Sequence, residues 1–172
     1  MIVPEMLRNF RVWEDSFDFI GTSDVELPDL KSLTESIKGA GMAGQIDAPV
    51  IGHLDSLETK FNWRTITNRN ASLTAPKAHT IDVRGAQQFY DSTAGEYKTC
   101  AVRLLVVGSP KNTALGKLEP ATTTGTNNVY ETSYLKLEID GKEKIEIDKY
   151  NYIFKVDGVD YLSASREALG IA

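Results

Sequence analysis

Residues 134–148, with the sequence YLKLEIDGKEKIEID, decide the fold that we predict for this chain. Apolar and charged side chains alternate on both sides of Asp140-Gly141, and successive side chains of a strand point to opposite faces of a sheet. The apolar positions are Leu135, Leu137, Ile139, Ile145 and Ile147. Asp140-Gly141 suits a two-residue turn because both residues tolerate positive φ. The pattern predicts an antiparallel hairpin with one apolar face and one charged face.

The chain around this hairpin is also extended in character, and we expect long hairpin strands over residues 130–160. After Lys149 the apolar side chains change face. They then fall at Tyr150, Tyr152, Phe154 and Val156. Because side chains alternate with a period of two, this change indicates a bulge or a strand that turns a sheet corner, as in barrels and twisted sandwiches.

Other segments extend the β prediction. Residues 10–14 and 17–20 predict two strands around a turn at Asp15-Ser16, and residues 57–64 alternate cleanly. The residues expected on the buried face of this last strand are Leu57, Thr59, Phe61 and Trp63. Residues 99–107 are rich in apolar and β-branched side chains, so we expect a largely buried strand there.

Helix is predicted in two short stretches. Residues 68–73 can form a short turn of helix before Pro76, and residues 163–169 form a better candidate. In the second, Ser163 can cap the helix, Arg166 and Glu167 are expected to face solvent, and Gly170 can end it. An exposed loop is expected over 122–129. We therefore predict a mainly β fold, a single-domain sandwich or barrel over residues 1–172.

Composition excludes several classes of function. The 172 residues are 41% hydrophobic and 25% charged, which is typical of an ordered globular domain, and the net charge of −5 argues against a nucleic-acid reader. The N-terminus lacks the features of a signal peptide, and no apolar run is long enough for a membrane span. We expect no stable membrane association, and a location in the cytoplasm. Cys100 lies among apolar residues, where a reduced, buried thiol is expected.

Residues 39–44 spell a formal GxGxxG pattern, the motif of dinucleotide-binding loops. Pro49 follows too soon for the long helix that such a site needs, so we expect no cofactor. We instead interpret residues 39–52 as a glycine-hinged loop whose apolar side chains order against a neighbouring subunit. The candidate residues of this inter-subunit loop are Gly39, Gly41, Met42, Ile46, Val50 and Ile51. His53 and His79 lack metal-ligand spacing, and we expect no catalytic or metal site.

A charged row follows the two strands of the predicted hairpin. Its members are Lys136, Glu138, Lys142, Lys144, Glu146 and Asp148. These side chains could line a wet channel built from several copies, or form the solvated face of a monomer, which the residues alone favour slightly.

Several motifs, in order along the chain, resemble the major tail tube protein family of contractile-tailed phages and R-type bacteriocin (tailocin) particles. The matching segments are residues 4–10 (PEMLRNF), 27–30 (LPDL), 39–42 (GAGM), 134–141 (YLKLEIDG), 156–160 (VDGVD) and 166–170 (REALG). Residues 65–126 depart from the family pattern.

The resemblance implies a non-enzymatic structural subunit. Copies would form hexameric rings with a continuous lumenal β-barrel and stack into a tube inside a contractile sheath, built in the bacterial host cytoplasm. The expected partners are other copies, the tail sheath protein, the tape-measure protein, and the baseplate and tail terminator proteins. DNA would pass through without specific binding. The candidate lumen-facing residues are Lys136, Glu138, Lys144, Glu146 and Asp148. The alternatives are a type VI secretion tube protein that carries effectors and a monomeric β-sandwich binding module.

Overall fold

The structure, a computed structural model, describes residues 1–15, 18–21 and 23–171. These residues form twelve strands and two short helices, which confirms the predicted mainly β fold. The strands are β1 Ile2–Glu14, β2 Asp18–Gly21, β3 Ser23–Glu26, β4 Ser32–Ile37, β5 Ile46–Leu54, β6 Glu58–Trp63, β7 His79–Asp91, β8 Glu96–Ala114, β9 Thr126–Ile139, β10 Lys142–Asp148, β11 Ile153–Val156 and β12 Val159–Asp160. The helices are α1 Asn68–Ser72 and α2 Ser163–Leu169.

The predicted hairpin forms the centre of the main sheet. β9 and β10 pair antiparallel from Ile139–Lys142 to Tyr134–Asp148, and Asp140 and Gly141 take the positive φ values of 48° and 73° that the turn requires. The sheet order is β12-β11-β10-β9-β8-β7-β1-β2, and the first half of β9 also pairs with β6, which pairs with β3. This order is open at β12 and β2, so the strands of the described residues do not close a barrel within one copy.

The change of face after Lys149 has a different cause from the one predicted. The chain reverses between β10 and β11, so the apolar residues on either side of Lys149 belong to two strands. The Asp148 carboxylate accepts hydrogen bonds from the backbone N–H groups of Tyr150 and Asn151, both at 3.0 Å, and so builds the turn. The expectation of one long strand was wrong here. A register shift does occur in this hairpin, but earlier, at Lys144.

One face of the main sheet curls around an apolar core. Its buried members are Val12, Ile20, Leu57, Phe61, Trp63, Leu73, Ile81, Val83, Leu104, Val106, Tyr130, Leu135 and Ile147. The predicted alternation of β6 is confirmed, because Leu57, Thr59, Phe61 and Trp63 are all buried. The Phe61 ring stacks on Trp63 at 5.9 Å and meets Tyr130 edge-on at 5.8 Å between centroids. The Trp63 indole N–H donates to Asn128 at 2.7 Å, so its polar atom is satisfied inside the core.

Residues 99–107 differ from the prediction of a largely buried strand. β8 alternates instead: Cys100, Leu104 and Val106 are buried, whereas Thr99 and Ala101 are exposed. The reason is that the core covers only one face of this sheet. The burial predicted for Cys100 is confirmed, and burial raises the pKa of its thiol.

Both predicted helices are present, with corrections at their ends. Gly170 ends α2 in the left-handed conformation, as expected, with φ of 67°. Ser163 is not the cap, since Leu162 occupies that position and the Ser163 hydroxyl donates to the carbonyl of Asp160. Arg166, expected in solvent, instead pairs with Asp160 at 2.6 Å. The loop expected over 122–129 ends early, because β9 begins at Thr126.

The turn predicted at Asp15-Ser16 is only partly described. β1 and β2 pair antiparallel, as expected for residues 10–14 and 17–20. Ser16 and Phe17 lie outside the described residues.

Candidate functional site

A two-stranded hairpin, the arm (residues 32–54), stands apart from the main sheet. It consists of β4 and β5, paired from Ser32–Leu54 to Ile37–Ile46. The prediction of a loop over 39–52 was therefore wrong beyond residue 45, because Ile46 begins a strand. The glycines lie at the tip, where Gly41 and Gly44 take φ of 92° and 134°. A two-stranded ribbon tolerates Pro49, which a central strand would not.

The tip also explains the formal GxGxxG pattern. It joins two strands rather than opening a helix, so it lacks the helix N-terminus that a pyrophosphate needs. Gly39 and Gly41 lie in this tip, and among the described residues no heavy atom outside the chain neighbours lies within 4 Å of a Cβ built on either.

The arm exposes apolar side chains along its whole length. They are Leu33, Ile37, Met42, Ile46, Val50 and Ile51. Ile46 and Ile51 are 57% and 68% exposed, values far above those of core residues. Such a set on one protrusion leaves apolar area in water that the chain's own body does not cover.

The base of the arm is held by a close approach. A Cβ added to Gly52 would lie 2.6 Å from Leu162, so the glycine is required for the buried Leu162 side chain to reach the arm. Gly52 also has a φ of 70°, a conformation that favours glycine. Beside it, the His53 ring meets Tyr152 edge-on at 6.4 Å. The arm is therefore seated on the β10–β11 turn and the start of α2.

The side of the main sheet opposite the core carries charges across six strands. This charged face consists of Arg11, Asp82, Arg84, Arg103, Lys136, Glu138, Glu143, Glu146 and Lys155. Register brings Arg11, Arg84, Arg103 and Glu138 side by side on β1, β7, β8 and β9. It is a continuous feature that the residues of 134–148 alone could not predict.

Most charges of this face are paired within the chain. Lys136 contacts Glu138 at 3.0 Å, and Lys155 donates to Glu146 at 2.8 Å. The hydrogen bond from Lys155 lowers the pKa of Glu146, and the hydrogen bond to Glu138 raises the pKa of Lys136. Burial, followed by the hydrogen bond to Glu146, raises the pKa of Tyr134.

Asp82 is the buried centre of the charged face. Its side chain is 0% exposed and accepts two hydrogen bonds from the Arg84 guanidinium, at 2.9 and 2.7 Å. Arg103 donates to the same carboxylate through Nε at 3.0 Å and Nη2 at 2.9 Å, which raises the pKa of Arg103. Arg84 also lies over the Trp13 ring, 5.6 Å from its centroid. Sequence reasoning missed this cluster, although the alternation Ile81-Asp82-Val83-Arg84 was a signal for it.

The register places four of the five residues predicted to face a lumen on the charged side of the sheet, with Asp148 two positions beyond Glu146 on β10. Lys136, Glu138 and Glu146 lie on the charged face. Lys144 lies at the register shift and pairs with Asp157 at 2.7 Å near the sheet's end. Asp148 holds the β10–β11 turn, so its carboxylate is occupied by backbone N–H groups.

The two histidines have separate structural surroundings. His79 is buried, with Nδ1 2.8 Å from Glu14 and Nε2 3.0 Å from the carbonyl of Ala75, whereas His53 lies at the base of the arm. Within residues 1–15, 18–21 and 23–171, no group of three or more His, Cys, Asp or Glu side chains is placed to hold a metal ion. Neither helix in the described part of the chain is long and apolar enough to cross a membrane.

Comparison with known proteins identifies relatives along the full length of the chain. Residues 4–170 match the family model described as phage tail tube protein FII. The tail tube protein of Escherichia phage P2 is 30% identical over 176 aligned positions, which cover 99% of this chain and 100% of the relative. The major tail tube protein of Serratia phage KSP20 is 25% identical over 175 positions, covering 99% of each chain. The resemblance found in the sequence motifs is confirmed.

Proposed function

This chain belongs to the phage tail tube protein family, and from that membership we propose that its copies form hexameric rings that stack into the inner tube of a contractile tail or tail-like particle. The chain is a structural subunit of a phage tail tube. The full-length match carries this conclusion, because it includes the main sheet and the arm together. No enzymatic role is proposed.

The open main sheet supports a ring. β2 pairs with Val12–Glu14 of β1, and in the described residues the outer edge of 2–11 has no strand beside it. β12, with two residues, ends the sheet on the other side. Unpaired edges favour pairing with another chain, and a ring of copies satisfies them without leaving a free end.

The arm supports contact between copies. Its exposed apolar side chains are those expected of a segment that becomes buried on assembly. We assign Met42, Ile46, Val50 and Ile51 to an interface between neighbouring subunits, and Gly39 and Gly41 to the tip that shapes it. The seat at Gly52 gives the arm a defined direction before assembly.

We propose that the charged face lines the lumen of the tube. A sheet with one apolar face turned to its own core presents the other face to water, and a tube needs a wet inner wall. Lys136, Glu138 and Glu146 would then face the channel, with Lys144 and Asp148 at its margin. A polyanion such as DNA would pass this wall without specific binding, because most charged side chains of the wall already have partners in the chain.

The proposed surroundings follow from this role. Phage tail tube proteins are components of the virion tail and assemble with other tail components. For this chain we propose contact with the tail sheath protein along the outside of the tube, with the tape-measure protein inside it, and with baseplate and tail terminator proteins at its ends. Assembly is proposed to take place in the cytoplasm of the bacterial host.

Negative-stain electron microscopy of the purified protein tests the proposal. Hexameric rings or tubes are the expected result, and monomers at all concentrations would contradict it. Replacing Met42 and Ile46 with Asp should abolish assembly, because two buried charges at an interface oppose association. The matched control replaces Leu115 and Leu118 with Asp, because these leucines are also exposed but lie outside the arm. Equal loss of assembly in both double variants would contradict an interface specific to the arm.

A further inference from the structure

The charged face contains a stripe of three arginines on adjacent strands. Arg11 on β1 lies opposite Arg84 on β7, which lies opposite Arg103 on β8. Like charges on neighbouring strands repel one another, so such a stripe is unfavourable unless something compensates it. Three guanidinium groups in a row are also the usual chemistry of a surface that binds phosphate-bearing polyanions.

One buried carboxylate pairs with two of the three arginines of this stripe. The Asp82 carboxylate accepts charge-assisted hydrogen bonds of 2.7–3.2 Å from both Arg84 and Arg103. The two arginine side chains remain 45% and 39% exposed, so their outer edges reach solvent while their charge is offset from beneath. Glu138 adds a second carboxylate, 3.6 Å from Arg103 and 3.0 Å from Lys136.

We infer that Asp82 offsets part of the positive charge of this arginine stripe and so keeps it from binding polyanions, with Glu138 in a secondary role. Asp82 is a positioning residue in this respect: it acts through Arg84 and Arg103 and is itself inaccessible to a polyanion. Together the two acids hold three cations of the charged face, Arg84, Arg103 and Lys136. The inference rests on the proposed function, in which the charged face lines the lumen, since a lumenal wall must not retain a polyanionic cargo.

Neutral replacement of either acid should convert the charged face into a binding surface. Asp82→Asn keeps the shape of the side chain but removes the charge that offsets two arginines. Each cation freed to contact phosphate adds about one to the slope of log affinity against log salt concentration. We expect Asp82→Asn to bind double-stranded DNA at low salt at least roughly tenfold more tightly than the wild type, with a steeper salt dependence.

The experiment measures fluorescence anisotropy of a short labelled DNA duplex with dispersed protomers. Glu58→Gln is the matched control, because it removes the same charge from an ion pair with Lys111 that lies off the charged face. Glu138→Gln carries the test should Asp82→Asn fail to fold, since Glu138 is partly exposed and its loss removes one carboxylate partner from Arg103 and one from Lys136. It should bind more tightly than Glu58→Gln, though less tightly than Asp82→Asn.

A triple variant separates this role from a merely structural one. Adding Arg84→Gln and Arg103→Gln to Asp82→Asn should return DNA binding to the wild-type level. Folded Asp82→Asn and Glu138→Gln proteins that bind no better than Glu58→Gln would overturn the inference, as would a triple variant that still binds. Protomers are assayed without assembly, so these outcomes are independent of whether rings form, which microscopy decides separately.

Discussion

β5 and β6 are neighbours in the chain, yet the apolar side chains of β6 are buried and most of those of β5 are exposed. β6 lies between β3 and β9 and buries Phe61 and Trp63 completely or nearly so. β5 pairs with β4 in the separate arm and leaves Ile46 and Ile51 in water. β5 is the more apolar strand, with five apolar residues of nine against two of six in β6, so composition does not explain the difference. What differs is whether the same copy supplies the covering surface.

This contrast separates the folding of one copy from the assembly of many. Burial of apolar area is the main favourable term in both processes. The apolar side chains of β6 are buried when one copy folds, whereas those of β5 remain exposed and can be buried by contact between copies. Substitutions in the two strands should therefore affect different measurements.

The largest effect on folding is expected in β6. Phe61→Ala removes a fully buried ring that touches Trp63 and Tyr130, and should lower the free energy of unfolding by about 3–5 kcal/mol. Urea unfolding followed by fluorescence measures this loss. Ile46→Ala in β5 is the matched control and should cost less than about 0.5 kcal/mol. Similar losses in the two variants would remove the distinction between the strands.

The seat of the arm should show an intermediate effect. Gly52→Ala places a Cβ 2.6 Å from Leu162 and forces an alanine into positive φ, which should cost about 1–3 kcal/mol. A double-mutant cycle with Leu162→Ala measures the steric part, because the smaller side chain removes the clash. Strictly additive losses would show that Gly52 and Leu162 are not coupled.

The sequence predicts the body of this fold better than the arm. The hairpin at 134–148 and the buried alternation of β6 are local signals, since a period of two and an Asp-Gly turn are visible within a few residues. In residues 39–52 the glycines and Pro49 conceal a strand, because β5 depends on pairing with β4 rather than on its own propensity.

The charged face shows a second limit of prediction. Lys136, Glu138 and Glu146 follow from alternation in the hairpin and lie where expected on one face. The Asp82 cluster depends on the register of β7 with β8, which brings residues more than twenty positions apart into contact. No spacing within either segment encodes that register, so the cluster requires the structure.

Acidic pH should lower the free energy of unfolding through the Glu146–Lys155 pair of the charged face, by less than the substitutions above. The hydrogen bond from Lys155 lowers the pKa of Glu146 below its ordinary value of 4.5, so this carboxylate stabilises the folded state when the pH is above that value. The stabilisation is lost as the pH falls through the lowered pKa in the folded state. Glu146→Gln and Lys155→Met should each flatten the acid limb of unfolding free energy against pH. An acid limb identical to that of the wild type in Glu146→Gln would contradict this linkage.

The smallest effect on folding, with a large effect on assembly, is expected at Ile51. Ile51→Asp places a charge on a side chain that is already 68% exposed, so the free energy of unfolding should change by less than about 0.5 kcal/mol. If the arm binds a neighbouring copy, the same charge must be buried without a partner on assembly, and rings should fail to form. Ile51→Leu, which keeps the apolar area, should assemble normally. An Asp variant that unfolds easily would place Ile51 in the core of one copy, and one that folds and assembles normally would place it outside the interface. A stable protomer that cannot assemble is the result that distinguishes β5 from β6.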